Sequence, residues 1–161
     1  MSPGGEVQTL RLASLAQGDS ESQGEGYPMT FRSLEPAGWM PPRGYANGVV
    51  ASGKLVVLAG QIGWNPATAT FETDDFALQV RQALANIAAL LGEAGAEARH
   101  LVRLTWFITD RDAYLGAQRE IGEAYRDVMG RHYPPMSVIV VSALIERRAL
   151  VEIEATAVLP E

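Results

Sequence analysis

The chain has 161 residues, 47% hydrophobic and 20% charged, which suits one globular domain large enough to bury its own core. It has no cysteine and two histidines, His100 and His132, which excludes disulfides, thiolate metal centres, a cysteine nucleophile and a histidine-rich metal site. A formal net charge of -6 argues against a uniformly basic nucleic-acid surface, and no apolar run approaches the ~18 residues of a membrane span. With no basic, apolar leader after Met1, a cytoplasmic protein is expected.

Residues 1–30 are rich in Gly, Ser, Gln and Glu, and only Leu10, Leu12 and Leu15 offer an apolar pattern. Such a stretch buries too little to offset its ordering entropy, so a disordered tail is expected. The alternative is that translation starts at Met29. Either way the folded domain is expected over residues 31–161.

Within that span, the apolar run Lys54 to Ala59 reads as a buried strand. Gly48 to Ala51 reads as its hairpin partner, with Ser52-Gly53 at the turn. Gly60 and Gly63 bracket Gln61-Ile62, and Asn65-Pro66 marks a loop. Thr73-Asp74-Asp75 is a helix start, because short polar side chains cap orphan amides and acids suit the positive end. Phe76, Val80, Ala83, Leu84, Ile87 and Leu91 then share one helical face, and Gly92 and Gly95 suit its end. Leu101 to Ile108 alternates as a strand, with Val102, Leu104, Trp106 and Ile108 on one face and Arg103, Thr105 and Phe107 on the other.

Thr109-Asp110 opens a second helix, with Tyr114, Ala117, Ile121, Tyr125 and Val128 inward and Gly130 at its end. Pro134-Pro135 blocks further helix, and Ser137 to Val141 is β-branched and strand-like. The last strand, Leu150 to Val158, sets Val151, Ile153, Ala155 and Ala157 against Glu152, Glu154, Thr156 and Val158. The order is β-β-α-β-α-β-β, an α+β domain with helices on one face of the sheet.

The second sheet face is mixed. Glu152 and Glu154 share it with Val158 and with one set of residues from each other strand. A sheet that is apolar on both faces needs a second cover, and symmetric self-association is the economical one. The two glutamates then sit at the rim of an interface pocket or are solvated carboxylates at a sheet end.

Five segments resemble the RidA/YjgF family of reactive-intermediate deaminases: Gly44-Tyr45-Ala46-Asn47-Gly48-Val49, Leu55 to Ile62, Gln82 to Ile87, Thr105 to Asp110, and Val151 to Val158. Their order and spacing cover about Arg32 to Leu159. The resemblance implies a chorismate-mutase-like protomer in a barrel-like homotrimer, with small-molecule pockets between subunits. It implies hydrolysis of 2-imino or 2-enamino acids to 2-keto acids and ammonia, with no metal or organic cofactor. An electrophilic iminium carbon needs little beyond a positioned water and proton management.

By resemblance, Tyr45 matches the family tyrosine, Gly60 and Gln61 the loop after the second strand, and Glu152 the glutamate that orients or deprotonates water. Without it, Tyr45 is an ordinary half-buried tyrosine. Glu154 also has a glutamate counterpart. The departure is Pro134-Pro135-Met136-Ser137, where the family reads Pro-Ala-Arg-Ser, so Met136 replaces the arginine that clamps the substrate carboxylate. A thioether offers neither charge nor N–H donor. Losing such a pair costs roughly 2–5 kcal/mol by analogy with buried interfacial pairs.

Met136, Ser137, Gly60, Gln61 and Arg103 are therefore the expected substrate-binding residues, and Glu152 and Tyr45 the catalytic ones. Arg103 is the first candidate for a substitute cation, ahead of Arg43 and Arg119. Two functions follow: a divergent imine or enamine hydrolase, and a non-catalytic small-molecule-binding or regulatory trimer. RNA binding is disfavoured by the acidic balance.

Overall fold

The computed structural model describes residues 31–160. The expectations for residues 1–30 lie outside the described residues. The elements are β1 (Phe31–Ser33), β2 (Val49–Ala51), β3 (Lys54–Ile62), α1 (Phe76–Glu93), β4 (Leu101–Ile108), α2 (Arg111–Gly116), α3 (Gln118–Met129), β5 (Met136–Val140) and β6 (Val151–Leu159), with a single 3-10 turn at Ala98–His100.

The main sheet is mixed, in the order β3-β6-β4-β5. Strand β6 runs antiparallel to both β3 and β4, while β4 and β5 are parallel. Parallel neighbours need a crossover, and α2 and α3 supply it. The helices cover one face. Val80, Leu84 and Ile87 of α1, with Ile121 and Tyr125 of α3, are buried against Leu104, Trp106, Ile108, Val151 and Ile153.

Helix α1 begins and ends as its residues dictate. The Asp75 carboxylate accepts the Leu78 N–H at 2.9 Å. At the other end Gly95 takes φ +70°, its N–H bonds the Gly92 carbonyl at 3.0 Å, and the Ala96 N–H bonds the Leu91 carbonyl at 2.8 Å. This paired closure satisfies two orphan carbonyls and seats buried Ala96 beside Leu91.

Three expectations need correction. Strand β2 does not pair with β3; it pairs antiparallel with β1, Phe31 opposite Ala51. The reason lies at Gly53, whose φ of +139° is no hairpin-turn conformation and where a Cβ would overlap the Leu159 carbonyl. The chain therefore runs past the end of β6 instead of folding back. The second helix is two: Ala117, at φ -102° and ψ 14°, separates α2 from α3 just after Gly116. In β4, a register shift between Leu101 and Arg103 buries Leu101 rather than Val102. The extra residue of a bulge reverses the alternation on one side of it.

The face away from the helices carries Leu55, Val57 and Ile139, which are 63%, 70% and 43% exposed. Glu152, Glu154, Thr105 and Phe107 share that face, since Glu154 pairs with Thr105 and Glu152 with Phe107 while Leu104, Trp106 and Ile108 turn to the helices.

Candidate functional site

The expected site residues fall into two clusters. The first lines an open cleft of about 440 Å³ where the 45–49 loop crosses the starts of β4 and β5. Tyr45, Arg103, Met136 and Ser137 all line it, with Asn47, Val49, Val102 and Pro135 among the others. Gly44, at φ +74°, turns the chain into Tyr45. The Ala46 N–H then reaches the Pro134 carbonyl at 3.4 Å, and the Leu104 N–H reaches the Pro135 carbonyl at 3.0 Å. The Pro-Pro segment is thus held between the loop and β4.

The entry to both strands is braced from below. The Tyr125 hydroxyl donates to the His132 carbonyl at 2.7 Å, and Tyr133 stacks on Tyr125. His132 Nε2 bonds the Leu101 carbonyl at 2.7 Å, which requires the proton on Nε2 because a carbonyl only accepts. Phe31 packs edge-on against the same ring. Burial lowers the His132 pKa, an effect opposed by the Leu101 carbonyl and aided by His100. Burial also raises Tyr125, with Tyr133 adding to the shift. His132 is therefore a structural brace and not a residue of the cleft lining.

The second cluster is Gly60 and Glu152, at the other end of the sheet's open face, with Gln61 beside them opposite the core residue Ile153. Strand β3 continues beyond the expected Ala59 to Ile62, with a register shift between Leu58 and Gln61. Glu152 is opposite Ile62 on one side and Phe107 on the other. Its carboxylate lies directly over Gly60, where any Cβ would overlap Oε1. Glycine is what gives that carboxylate its place. Gln61 donates its side-chain amide to the Ala59 carbonyl at 3.2 Å.

The two clusters are separate in this cleft: Glu152, Gly60 and Gln61 do not line it. Glu154 lies nearer to the first cluster in register, because Glu154 opposes Thr105 and Thr105 opposes Ser137. Met136 opposes Leu104 and packs partly on the core while also reaching the cleft. Arg119 is taken up at the surface by Glu120 and Glu123, and neither it nor Arg43 lines the cleft.

Sequence reasoning missed the residues that hold the second cluster in place. Gln79 is fully buried on α1, donates to the Thr73 and Arg148 carbonyls at 3.1 and 2.9 Å, and accepts the Leu150 N–H at 2.9 Å. Asn86 donates to the carbonyls of Ile62 and Trp64, each at 3.1 Å. The usable signal was a polar residue on the apolar stripe of an amphipathic helix. Among the described residues no three His, Asp or Glu converge as a metal site, and no helix is long and apolar enough to cross a membrane.

Comparison with known proteins places these features in a family. Residues 39–159 match the family model described as endoribonuclease L-PSP. A RutC family protein of Aquifex aeolicus is 34% identical over 124 residues, 76% of this chain and 94% of that protein. Protein DfrA of Myxococcus xanthus is 35% identical over 112 residues, 68% of this chain and 79% of that one. Among solved structures, YyfB of the conserved Rid protein family from Yersinia pestis superposes with a TM-score of 0.72 at 32% identity, covering 81% of this chain and all of its own. TdcF of E. coli, solved with bound serine, gives 0.59 at 30% identity, covering 80% and 98%. The match takes in β2 to β6 and both clusters, and the chain belongs to the RidA/YjgF family.

Proposed function

We propose that this protein hydrolyses reactive imine or enamine intermediates to carbonyl compounds and ammonia, as a cytoplasmic homotrimer that needs no metal or organic cofactor. The observation that carries this reading is the Glu152 carboxylate held directly over side-chain-free Gly60. A relative solved with bound serine supports an amino-acid-like ligand, since an amino acid is the reduced counterpart of a 2-imino acid.

Glu152 takes a proton from water as the water oxygen bonds to the imine carbon and the C=N electron pair moves to nitrogen. Glu152 hands that proton to the nitrogen to give the carbinolamine, whose hydroxyl proton then passes through Glu152 to the amine, so that C=O forms as the C–N bond breaks and ammonia leaves. Tyr45 and Ser137 supply hydroxyls for orientation. In a trimer the cleft of one subunit faces the Glu152 cluster of the next, and the exposed Leu55, Val57 and Ile139 are covered.

The test generates 2-iminopropionate and a bulkier 2-imino acid in situ and follows their decay. Wild type is expected to accelerate it, and Glu152→Gln to lose about 10²–10⁴-fold. The neutral Met136 in the cleft favours one other reading, a non-catalytic binding trimer. Inactive wild type with activity gained in Met136→Arg would establish that reading instead.

A further inference from the structure

We infer that anion recognition in this cleft has passed from β5 to β4: Arg103 is the anchor, and it selects a monocarboxylate bearing an apolar substituent. For the reacting ligand this rests on the hydrolase reading above; for recognition it stands on the cleft alone. Among the described residues Arg103 is the only cationic one in the cleft lining. It forms no ion pair among the described residues, so its guanidinium is available to a ligand. Neither Glu152 nor Glu154 comes within ion-pair distance of it.

Strand alternation puts Arg103 on the face away from the helices, opposite Thr156 and in phase with Thr105. The register shift between Leu101 and Arg103 releases Val102 from the core, so Val102 and Arg103 both line the cleft. A planar guanidinium there can take a carboxylate in bidentate fashion. Around it the wall is uncharged: Val49, Val102, Pro135 and Met136 are apolar, and Asn47 and Ser137 are neutral hydrogen-bonding groups. A single positive charge satisfies a single carboxylate. A second one would be desolvated without a partner, so dicarboxylates are selected against. Met136, flexible and polarizable, accommodates a branched or elongated apolar substituent.

The test uses unreactive keto acids and the full chain. Calorimetry measures 4-methyl-2-oxopentanoate, its methyl ester and 2-oxoglutarate against wild type, Arg103→Met, Arg103→Lys, and Arg103→Met combined with Met136→Arg. Wild type is expected to prefer the branched monocarboxylate by about tenfold or more over the other two ligands. Arg103→Met is expected to weaken it by tens- to hundreds-fold, and Arg103→Lys by less. The double variant, which returns a guanidinium to the cleft, is expected to recover most of the binding and thereby shows that the fold is intact.

Undiminished binding in Arg103→Met overturns the inference, as does no monocarboxylate binding by wild type. A change of oligomeric mass in Arg103→Met also overturns it, because Arg103 would then be an intersubunit ion-pair partner. If the keto acid binds through Arg103 but wild type hydrolyses no imine, the anchor stands and the hydrolase reading falls. If imines are hydrolysed equally with and without the carboxylate, the reverse holds.

Discussion

Replacing Gln79 with leucine should destabilise the protein by about 3 kcal/mol, since three net hydrogen bonds of roughly 1 kcal/mol each are lost. The side chain is fully buried and saturated: both amide hydrogens and the oxygen are used, at 2.9 to 3.1 Å. Leucine fills nearly the same volume, so cavity formation adds little. The loss comes instead from the Thr73 and Arg148 carbonyls and the Leu150 N–H, which are left without a partner.

Equilibrium urea unfolding at fixed protein concentration measures this, because self-association otherwise makes the midpoint concentration-dependent. At roughly 3 °C per kcal/mol for a domain of this length, the melting temperature should fall by about 10 °C. A stability change below about 0.5 kcal/mol at unchanged m-value would refute the reasoning, since water would then be satisfying all three groups. Gln79→Glu sharpens the test. Its carboxylate still accepts from Leu150 but meets two carbonyls, so it must hold a proton and its folded pKa rises. Stability should then be largest below the ordinary glutamate pKa and fall as pH rises through the raised one. Because Leu150 lies two residues before Glu152, imine hydrolysis should also decline in both variants.

Gly60→Ala should displace the Glu152 carboxylate, whose Oε1 a Cβ would overlap, and lower imine turnover by about 10²-fold for a shift near 1 Å. Kinetics with a parallel circular-dichroism melt would check it, and wild-type turnover with an unchanged melt would contradict the placement of Glu152. His132 is held neutral in the fold below its ordinary pKa of 6.5, mainly by burial. The unfolded chain therefore binds more protons as pH falls through 6.5, and stability should decline from there down to the lowered folded pKa. His132→Gln, which retains a donor for the Leu101 carbonyl, should flatten this part of the stability–pH curve in urea titrations.

Much of the fold was legible because its signals are local. The Asp75 cap, the Gly95 closure and the inward Phe76-to-Leu91 stripe all act within a few residues. The alternation of Val151, Ile153, Ala155 and Ala157 against Glu152 and Glu154 needs only the pleat of one strand. The five segments that resemble the family were likewise visible, and the family match over 39–159 agrees with them. The β1–β2 pair was not legible, because Phe31–Ser33 is three residues long and its partner lies some fifteen residues away.

Local sequence signals thus account for most of the elements and for the side chains that the family resemblance singles out: Tyr45, Glu152, Glu154 and a methionine in place of an arginine. Which residues meet was decided only by tertiary structure. The β4 bulge moved Val102 out of the core and into the cleft with Arg103, and the β4–β5 register set Met136 beside Leu104 and Ser137 beside Thr105. The Gly60 approach gave Glu152 its place, while Gln79 tied α1 to the loop that leads into β6. Caps and periodicities are properties of neighbouring residues. A register between strands more than thirty residues apart depends on which packing of the whole chain buries the most apolar surface without stranding a polar group.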